Sequence, residues 1–389
     1  MYHLLIATNL ILFALSFILI RNRFLFRPLQ SVPGHRLSGL PPGPRPSVTV
    51  CIPARNEENT IQRCVESILA QNYDSVQVFV LNDHSEDATG EILDELVKAN
   101  PEKLRIFQGK RKPEDWLGKQ WACNQLTEYA TTDLLVFADA DTWFEPDAIL
   151  KTVSAFEHYD ADMLTVWPRQ YLETFWEKTL IPLVYYSLLS FLPTHYTYRK
   201  PLWMPALFYR RFGSVFAAAC GQFIAFRSFA YHSIGGHTSV RNEVVEDVEL
   251  ARLTLKNKMK VLMLHGKGTV NCRMYTSQRE IREGFRKNFL AGFRYNIPLF
   301  ILSAIVHILV FVFPFAVPFL TADPTILLLS VSAIVLILLH RLLLATWFNW
   351  DFVYILTHPI GVLWFQFLGI TVLSDYLFKR KITWKNRSI

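Results

Sequence analysis

Two aspartates one residue apart, Asp139 and Asp141, close the apolar run "LLVFADAD" (134–141). Carboxylates at that spacing, where a chain leaves a buried strand, suit a divalent ion such as Mg2+ or Mn2+. Such ions take hard oxygen ligands and keep positions open for phosphate oxygens. A plain solvated turn can contain the same pair, so it gains meaning only from neighbours. Asp83 ends "VQVFVLND" (76–83), where an acid can contact the base or ribose of a nucleotide or cap the next helix. Glu243, Glu246 and Asp247 precede the helix-like pattern of "RNEVVEDVELARL" (241–253). Acids there meet the helix dipole favourably, and one of them can alternatively serve as a general base. Lys119 follows a glycine at a helix start and is placed to meet phosphate oxygens, whereas Lys110, Arg111 and Lys112 read as a solvated basic loop. His195, His232 and His237 have no metal-ligand spacing and read as structural or interfacial.

These groups need elements to position them. Strand-like runs at 48–54, 76–83, 104–109 and 134–141 alternate with helix-like segments at 57–71, 88–100 and 118–130. Such alternation predicts an α/β fold with a mostly parallel sheet covered by helices. Ligands of open sheets sit at the carboxyl ends of the strands. Asn56 and Glu57 follow the first strand, Asp83 the second, and Asp139 and Asp141 the fourth, so the notable polar groups converge at that edge.

The chain of 389 residues is 51% apolar and 14% aromatic, with net charge +7. His3 to Ile20 contains no acid, Lys or Arg and is just long enough to span a bilayer core of about 30 Å. "RNRFLFR" follows it, the reverse of the order in a cleaved signal, so residues 1–20 read as an anchor with its amino terminus outside. Residues 21–46 read as a basic, Pro/Gly-rich linker, and 47–294 as the folded domain. Within that domain, about 175–215 reads either as an interfacial segment or as a buried core helix. Residues 295–389 form a membrane region with spans at about 297–320 and 325–348. Arg341 interrupts the second and should snorkel or face protein. The stretch 352–373 is re-entrant or a third span; the basic tail "FKRKITWKNR" argues for the re-entrant form and a cytoplasmic carboxyl terminus. The charge suits anionic headgroups, and no nucleic-acid module is present. Five cysteines without paired spacing read as reduced packing thiols.

Five blocks in order, "VTVCIPARNEENTIQRCVESILAQNY", "VLNDHSEDAT", "FADADTWFEPDAI", "AACGQFIAFRSFAYHSIGG" and "EVVEDVELARLTLKNKMKV", resemble family 2 glycosyltransferases with the GT-A fold, from about Ser47 to Arg294. "WLGKQWACNQL", "FRKNFLAG" and the hydrophobic tail look most like membrane-bound enzymes acting on hopanoid- or carotenoid-type (diaponeurosporenoate-type) lipids. The resemblance implies inverting transfer of one sugar from a nucleotide diphosphate donor, UDP-linked in the usual case, to a lipid acceptor at the cytoplasmic leaflet. It places Pro53, Arg55, Asn56, Glu57, Asp83, Lys119 and Asp139 around the nucleotide sugar, and Asp141 on a divalent metal. Asp247 becomes the base, with Glu246 beside it, and Gly221 and Gln222 of "CGQFIAF" lie on the acceptor side.

Processive synthases of this family carry Q-x-x-R-W. Here Gln278 and Arg282 are four apart and no Trp follows, which argues against polymer extrusion. Arg282, Arg286 and Lys287 remain candidates for diphosphate contacts or for a membrane surface. Two alternatives stay open: a processive or polyisoprenyl-phosphate enzyme, and an anchored nucleotide-sugar-binding module without turnover.

Overall fold

Seven strands, Val48–Ala54 (β1), Val76–Asn82 (β2), Leu104–Gln108 (β3), Leu134–Ala138 (β4), Thr142–Phe144 (β5), Met163–Trp167 (β6) and Arg169–Gln170 (β7), precede three more, Phe223–Arg227 (β8), Val261–His265 (β9) and Val270–Cys272 (β10). In the computed structural model, which describes residues 1–33 and 45–380 with the backbone at 383–384 and 387–388, they form a seven-stranded sheet and a three-stranded one. The large sheet has the order β3-β2-β1-β4-β8-β6-β9. Only β8 runs antiparallel to its neighbours, β4 and β6. The small sheet has the order β5-β10-β7.

Strands β1, β2 and β4 are buried on both faces, as central parallel strands require, while β3 is a half-exposed strand at the edge. Proline within β1 is tolerated for a reason visible in the register. Val48 donates to Ser75 on the β2 side, so residues 49, 51 and 53 point toward β4. The β1–β4 ladder ends at Cys51↔Phe137, and Pro53 lacks its N–H where β4 has already left. The helix Ile61–Leu69 buries Ile61, Cys64, Val65 and Ile68, an i, i+3, i+4, i+7 stripe. The sheet order reverses between β1 and β4, the place where an open sheet forms its ligand crevice.

The chain divides into two compact units. One comprises Phe26–Tyr171 and Thr194–Met274; the other comprises Met1–Leu25, Leu172–Pro193 and Tyr275–Ile389. The sheets belong to the first. So do residues 26–33 of the expected linker: Leu29 and Val32 are buried in the sheet core, and His265 donates its N–H to the Arg27 carbonyl at 3.0 Å. Residues 34–44 of that linker lie outside the described residues, as do residues 381, 382, 385 and 386 of the basic tail.

The second unit is helical. Tyr2–Leu25, Pro324–Phe348 and His358–Leu377 are long and apolar enough to cross a membrane. The first two are joined by Asn9, whose amide donates to the Leu329 carbonyl at 2.9 Å. The expected span 297–320 is helical without a break only over Ile297–Phe311, 15 residues or about 22 Å, because Pro314 and Pro318 interrupt the chain beyond it. That helix meets Gln278–Phe293 at a 114° bend. The stretch 352–373, expected as re-entrant or a third span, contains the unbroken helix His358–Leu377, whose interior is left intact because Pro359 sits in its first turn. Phe175–Phe191, capped by Thr174 and Glu177 in a reciprocal box, also belongs here, and most of its residues are buried. Asn22 donates to the Leu189 and Leu192 carbonyls at 2.8 and 2.7 Å, closing this helix against the first.

Candidate active site

β4 ends at Ala138, and the next three residues form the turn into β5. Thr142 closes the turn by donating its hydroxyl to the Asp139 carbonyl at 2.7 Å. Asp139 in turn donates its N–H to the Gln222 carbonyl at 3.3 Å, so the entry to β8 fixes this turn from the other side. The Asp139 carboxylate accepts from Lys119 Nζ at 2.7 Å. The same amine lies 3.1 Å from Glu246 Oε1 and 3.4 Å from the Gly221 carbonyl. Lys119 stays charged: burial pulls its pKa down, but Asp139 and Glu246 outweigh burial and hold it well above the usual lysine value.

Asp247, the second residue of the helix Glu246–Lys256, accepts from Gly221 N–H at 2.9 Å and from Val248 N–H at 2.8 Å. Its carboxyl is pushed up to about 7, first by burial and then by the neighbouring Glu246 charge, against the lowering effect of Lys119 and the two N–H donors. Gly221 is squeezed between these groups. A Cβ there would meet Lys119 Nζ at 3.0 Å and Asp247 Oδ2 at 3.5 Å, which is why glycine stands at this point.

A second cluster forms where β1 and β2 end. Arg55 donates to the Asp83 and His84 carbonyls at 2.7 and 2.9 Å, and Asp83 donates its N–H to Ala54 at 2.8 Å. Asn56, in the left-handed region at φ 52°, accepts from Glu86 N–H at 2.9 Å, and Glu57 N–H donates to Thr89 at 2.8 Å. Helix capping falls to Asp87, which accepts from Thr89 N–H at 3.0 Å; Asp83 is thus not needed as a cap. The Cys64 thiol joins the two clusters: burial raises its pKa first, and Asp141, Glu57 and Asp139 add to the rise.

Asp141 lies on the turn beside Cys272, whose thiol is raised by burial and then by the Asp141 charge. Among the described residues, no group of three or more His, Cys, Asp and Glu side chains is arranged to hold a metal. Asp139 is engaged by Lys119, and Asp141 would be the hard carboxylate donor of the pair if a divalent ion is bound. That donor set fits Mg2+ or Mn2+ bound jointly by protein and phosphate oxygens, the usual arrangement where substrate completes the shell.

Three features escape the sequence. Lys119 bridges acids far apart in the chain, Asp139 and Glu246, a contact no spacing announces. Gln170 donates to Gln222 Oε1 at 2.9 Å, and Gln222 donates to Cys272 at 2.8 Å, linking β7, β8 and β10 beneath the turn. Trp143 stacks under the Arg63 guanidinium, 3.5 Å from ring centroid, with the Tyr171 ring 5.0 Å away. The expected site residues Arg282 and Arg286 lie in the helical unit, where Arg286 pairs with buried Asp375 at 2.7 Å. His237, read as structural, is buried and hydrogen-bonded to the Tyr231 hydroxyl at 2.8 Å.

These carboxylates gather at the switch-point crevice, the place where an open sheet of this kind binds its ligand. Residues 49–233, a little under half of the chain, match the family model for glycosyl transferase family 2, and the fold is of GT-A architecture. The 4,4'-diaponeurosporenoate glycosyltransferase of Staphylococcus haemolyticus (strain JCSC1435) is 25% identical over 259 residues, covering 63% of this chain and 62% of that one. Its counterpart in Staphylococcus aureus (strain USA300) is 26% identical over 254 residues, covering 63% and 61%. The chain thus spans about three fifths of the length of these relatives. Among solved structures, a mannosyltransferase of Pyrobaculum calidifontis in complex with GDP-Man and Mn2+ is similar in fold. Its TM-score is 0.50 at 17% identity, over 96% of this chain and all of that one.

Proposed function

We propose that this protein is a membrane-bound, inverting glycosyltransferase. In this reading it moves a single sugar from a nucleotide diphosphate sugar, UDP-linked in the first instance, to a hydroxyl or carboxyl group of a carotenoid- or terpenoid-type lipid. The observation that carries the proposal is Asp247, a carboxyl poised near neutral pH and fixed by Gly221 N–H, beside the pair Lys119–Asp139. Asp247 takes the proton of the acceptor oxygen as that oxygen forms its bond to the anomeric carbon. The bond from that carbon to the diphosphate breaks on the opposite face, and the nucleoside diphosphate leaves with the electron pair. One base suffices, with no covalent intermediate.

Asp141 would hold the divalent ion. When bound, such an ion neutralises charge developing on the departing diphosphate. Lys119 fixes Asp139 against the donor, and Arg55, Asn56, Glu57 and Asp83 shape the pocket edge for the nucleotide. Pro53 stiffens the end of β1 beneath them. Gly221 and Gln222 line the acceptor side. The lipid acceptor class is supported by the names of the staphylococcal relatives and by the three apolar helices. The anchor and the positive residues after it favour a cell-membrane location with the catalytic domain in the cytoplasm.

Mass spectrometry of glycolipids and pigments from cells with and without the protein tests this function. One lipid carrying a single extra hexose, present only with the protein, is expected. An unchanged lipid profile together with a soluble or polymeric product would refute it.

A further inference from the structure

The apolar helix Pro324–Phe348 carries two adjacent polar residues, His340 and Arg341, and both are buried, at 4% and 3% exposure. His358, at the start of the helix His358–Leu377, is fully buried. His340 is satisfied on both ring nitrogens, by the Ser16 hydroxyl at 2.6 Å and the Tyr186 hydroxyl at 2.9 Å. The Tyr186 ring also lies edge-on to His358, with centroids 5.4 Å apart. Arg341 and His358 are not satisfied in this way. Arg341 donates from Nη2 to the Tyr354 carbonyl at 3.3 Å, while its Nη1 and both ring nitrogens of His358 have no hydrogen-bond partner among the described residues.

A guanidinium remains charged even in an apolar setting, and a buried charge needs a counter-charge or a full set of acceptors. Arg341 forms no ion pair with a carboxylate among the described residues. Two acids of this unit, Asp375 and Asp351, are engaged elsewhere, with Arg286 at 2.7 Å and with Lys178 at 3.6 Å. The helix start at His358 adds partial positive charge at the same place. A cation is excluded by this sign, and the described histidines form no metal cluster. The cluster therefore lacks one negative group. Leu328, Val331, Val335, Leu339 and Leu342 expose an apolar face on the helix that carries Arg341. An anion reaching this position is best delivered on a hydrocarbon chain.

We propose that Arg341 and His358, with the Tyr186 ring beside them, bind the anionic headgroup, carboxylate or phosphate, of a membrane amphiphile. The test uses the full chain, stripped of lipid in a neutral detergent. Dioleoyl phosphatidic acid, oleate, dioleoyl phosphatidylcholine and inorganic phosphate are added in turn, with binding read by native mass spectrometry and by melting temperature. Phosphatidic acid or oleate is expected to bind once per chain, about tenfold or more tighter than phosphatidylcholine, as loss of a charge-assisted hydrogen bond implies. It should also raise the melting temperature of the unaltered protein. Whichever acid binds better identifies the headgroup. Arg341→Gln should abolish the preference, and His358→Gln should weaken it severalfold. Equal binding of phosphatidylcholine, a preference that survives Arg341→Gln, or binding of inorganic phosphate alone would overturn the proposal. If Arg341→Gln does not fold, the melting shift of the unaltered protein and the His358→Gln variant decide.

Discussion

Lys119 and Asp139 form an ion pair, with Nζ 2.7 Å from Oδ1, that joins the start of one helix to the end of β4. Because the same amine reaches Glu246 at 3.1 Å, it also ties this turn to the first turn of the helix that carries the proposed base. The two aspartates of the D-x-D pair thereby acquire different surroundings: Asp139 has a lysine partner, and Asp141 lies beside Cys272.

Removing the amine should therefore disturb several groups together. Lys119→Met leaves Asp139 and Glu246 facing each other without a cation. Breaking a fully buried pair costs about 3–5 kcal/mol, and a side chain one-third exposed warrants a discount to about 1–2 kcal/mol. A melting temperature lowered by a few degrees, with transfer reduced at least tenfold, is expected. Thermal unfolding and a transfer assay on the same preparation check both.

The pH dependence is set by Asp247. The charged form is needed to accept a proton, and the carboxyl is held up to about 7 by burial and then by Glu246. Below that value the rate should fall about tenfold per pH unit. Glu246→Gln removes the second cause and should move the acid limb to lower pH. Lys119→Met removes a lowering influence and should move it higher. Profiles of kcat/KM against pH measure both shifts, and limbs unmoved in both variants would mean another group titrates. The stability sign is the reverse of the usual salt-bridged acid. The folded chain binds this proton more tightly than the unfolded chain, so its contribution is present at low pH and is lost as pH rises through about 7.

Gly221 offers a steric test. A Cβ in Gly221→Ala would lie 3.0 Å from Lys119 Nζ, and the lysine end must shift away from its carboxylates. A displacement of a few tenths of an ångström in this site should lower kcat about tenfold or more with little loss of stability. Gly292→Ala, where a Cβ meets nothing within 4 Å, is the neutral control.

Much of this is legible in the chain because the signals are local. Strands β1, β2 and β4 are marked by largely apolar runs, and their polar ends fall where an open sheet gathers ligands. The acids Asp83, Asp139, Asp141 and Asp247 stand out for the same reason. The hidden features depend on distant contacts. Nothing at position 119 indicates partners at 139 and 246, and a lysine behind a glycine reads equally well as a phosphate ligand. Hydropathy alone does not register how Pro314 and Pro318 interrupt a helix, while Pro359 lies harmlessly in a first turn. Leu29 and Val32 are hidden within a proline-rich stretch that looks like linker, although the sheet core buries them.

Trp143 now has a place. Its ring lies under Arg63 and beside Tyr171, so Arg63→Ala should cost about 0.5–1 kcal/mol, the range of an exposed cation–π contact. Trp143→Ala should cost more, since it also removes the packing against Tyr171. Denaturant unfolding of both variants checks the order of effects.

The most direct measurement is transfer of radiolabelled sugar, from a panel of UDP- and GDP-sugars with Mg2+ or Mn2+, to a bacterial lipid extract by the purified full chain. A lipid product bearing one sugar is expected. Asp247→Asn should lower its formation about a thousandfold, within the range a general base supplies, while the protein still folds and inserts in membranes. Asp141→Asn should be similarly inactive. Undiminished transfer by a folded Asp247→Asn protein would contradict the assignment of Asp247 as the base, and with it the proposed mechanism.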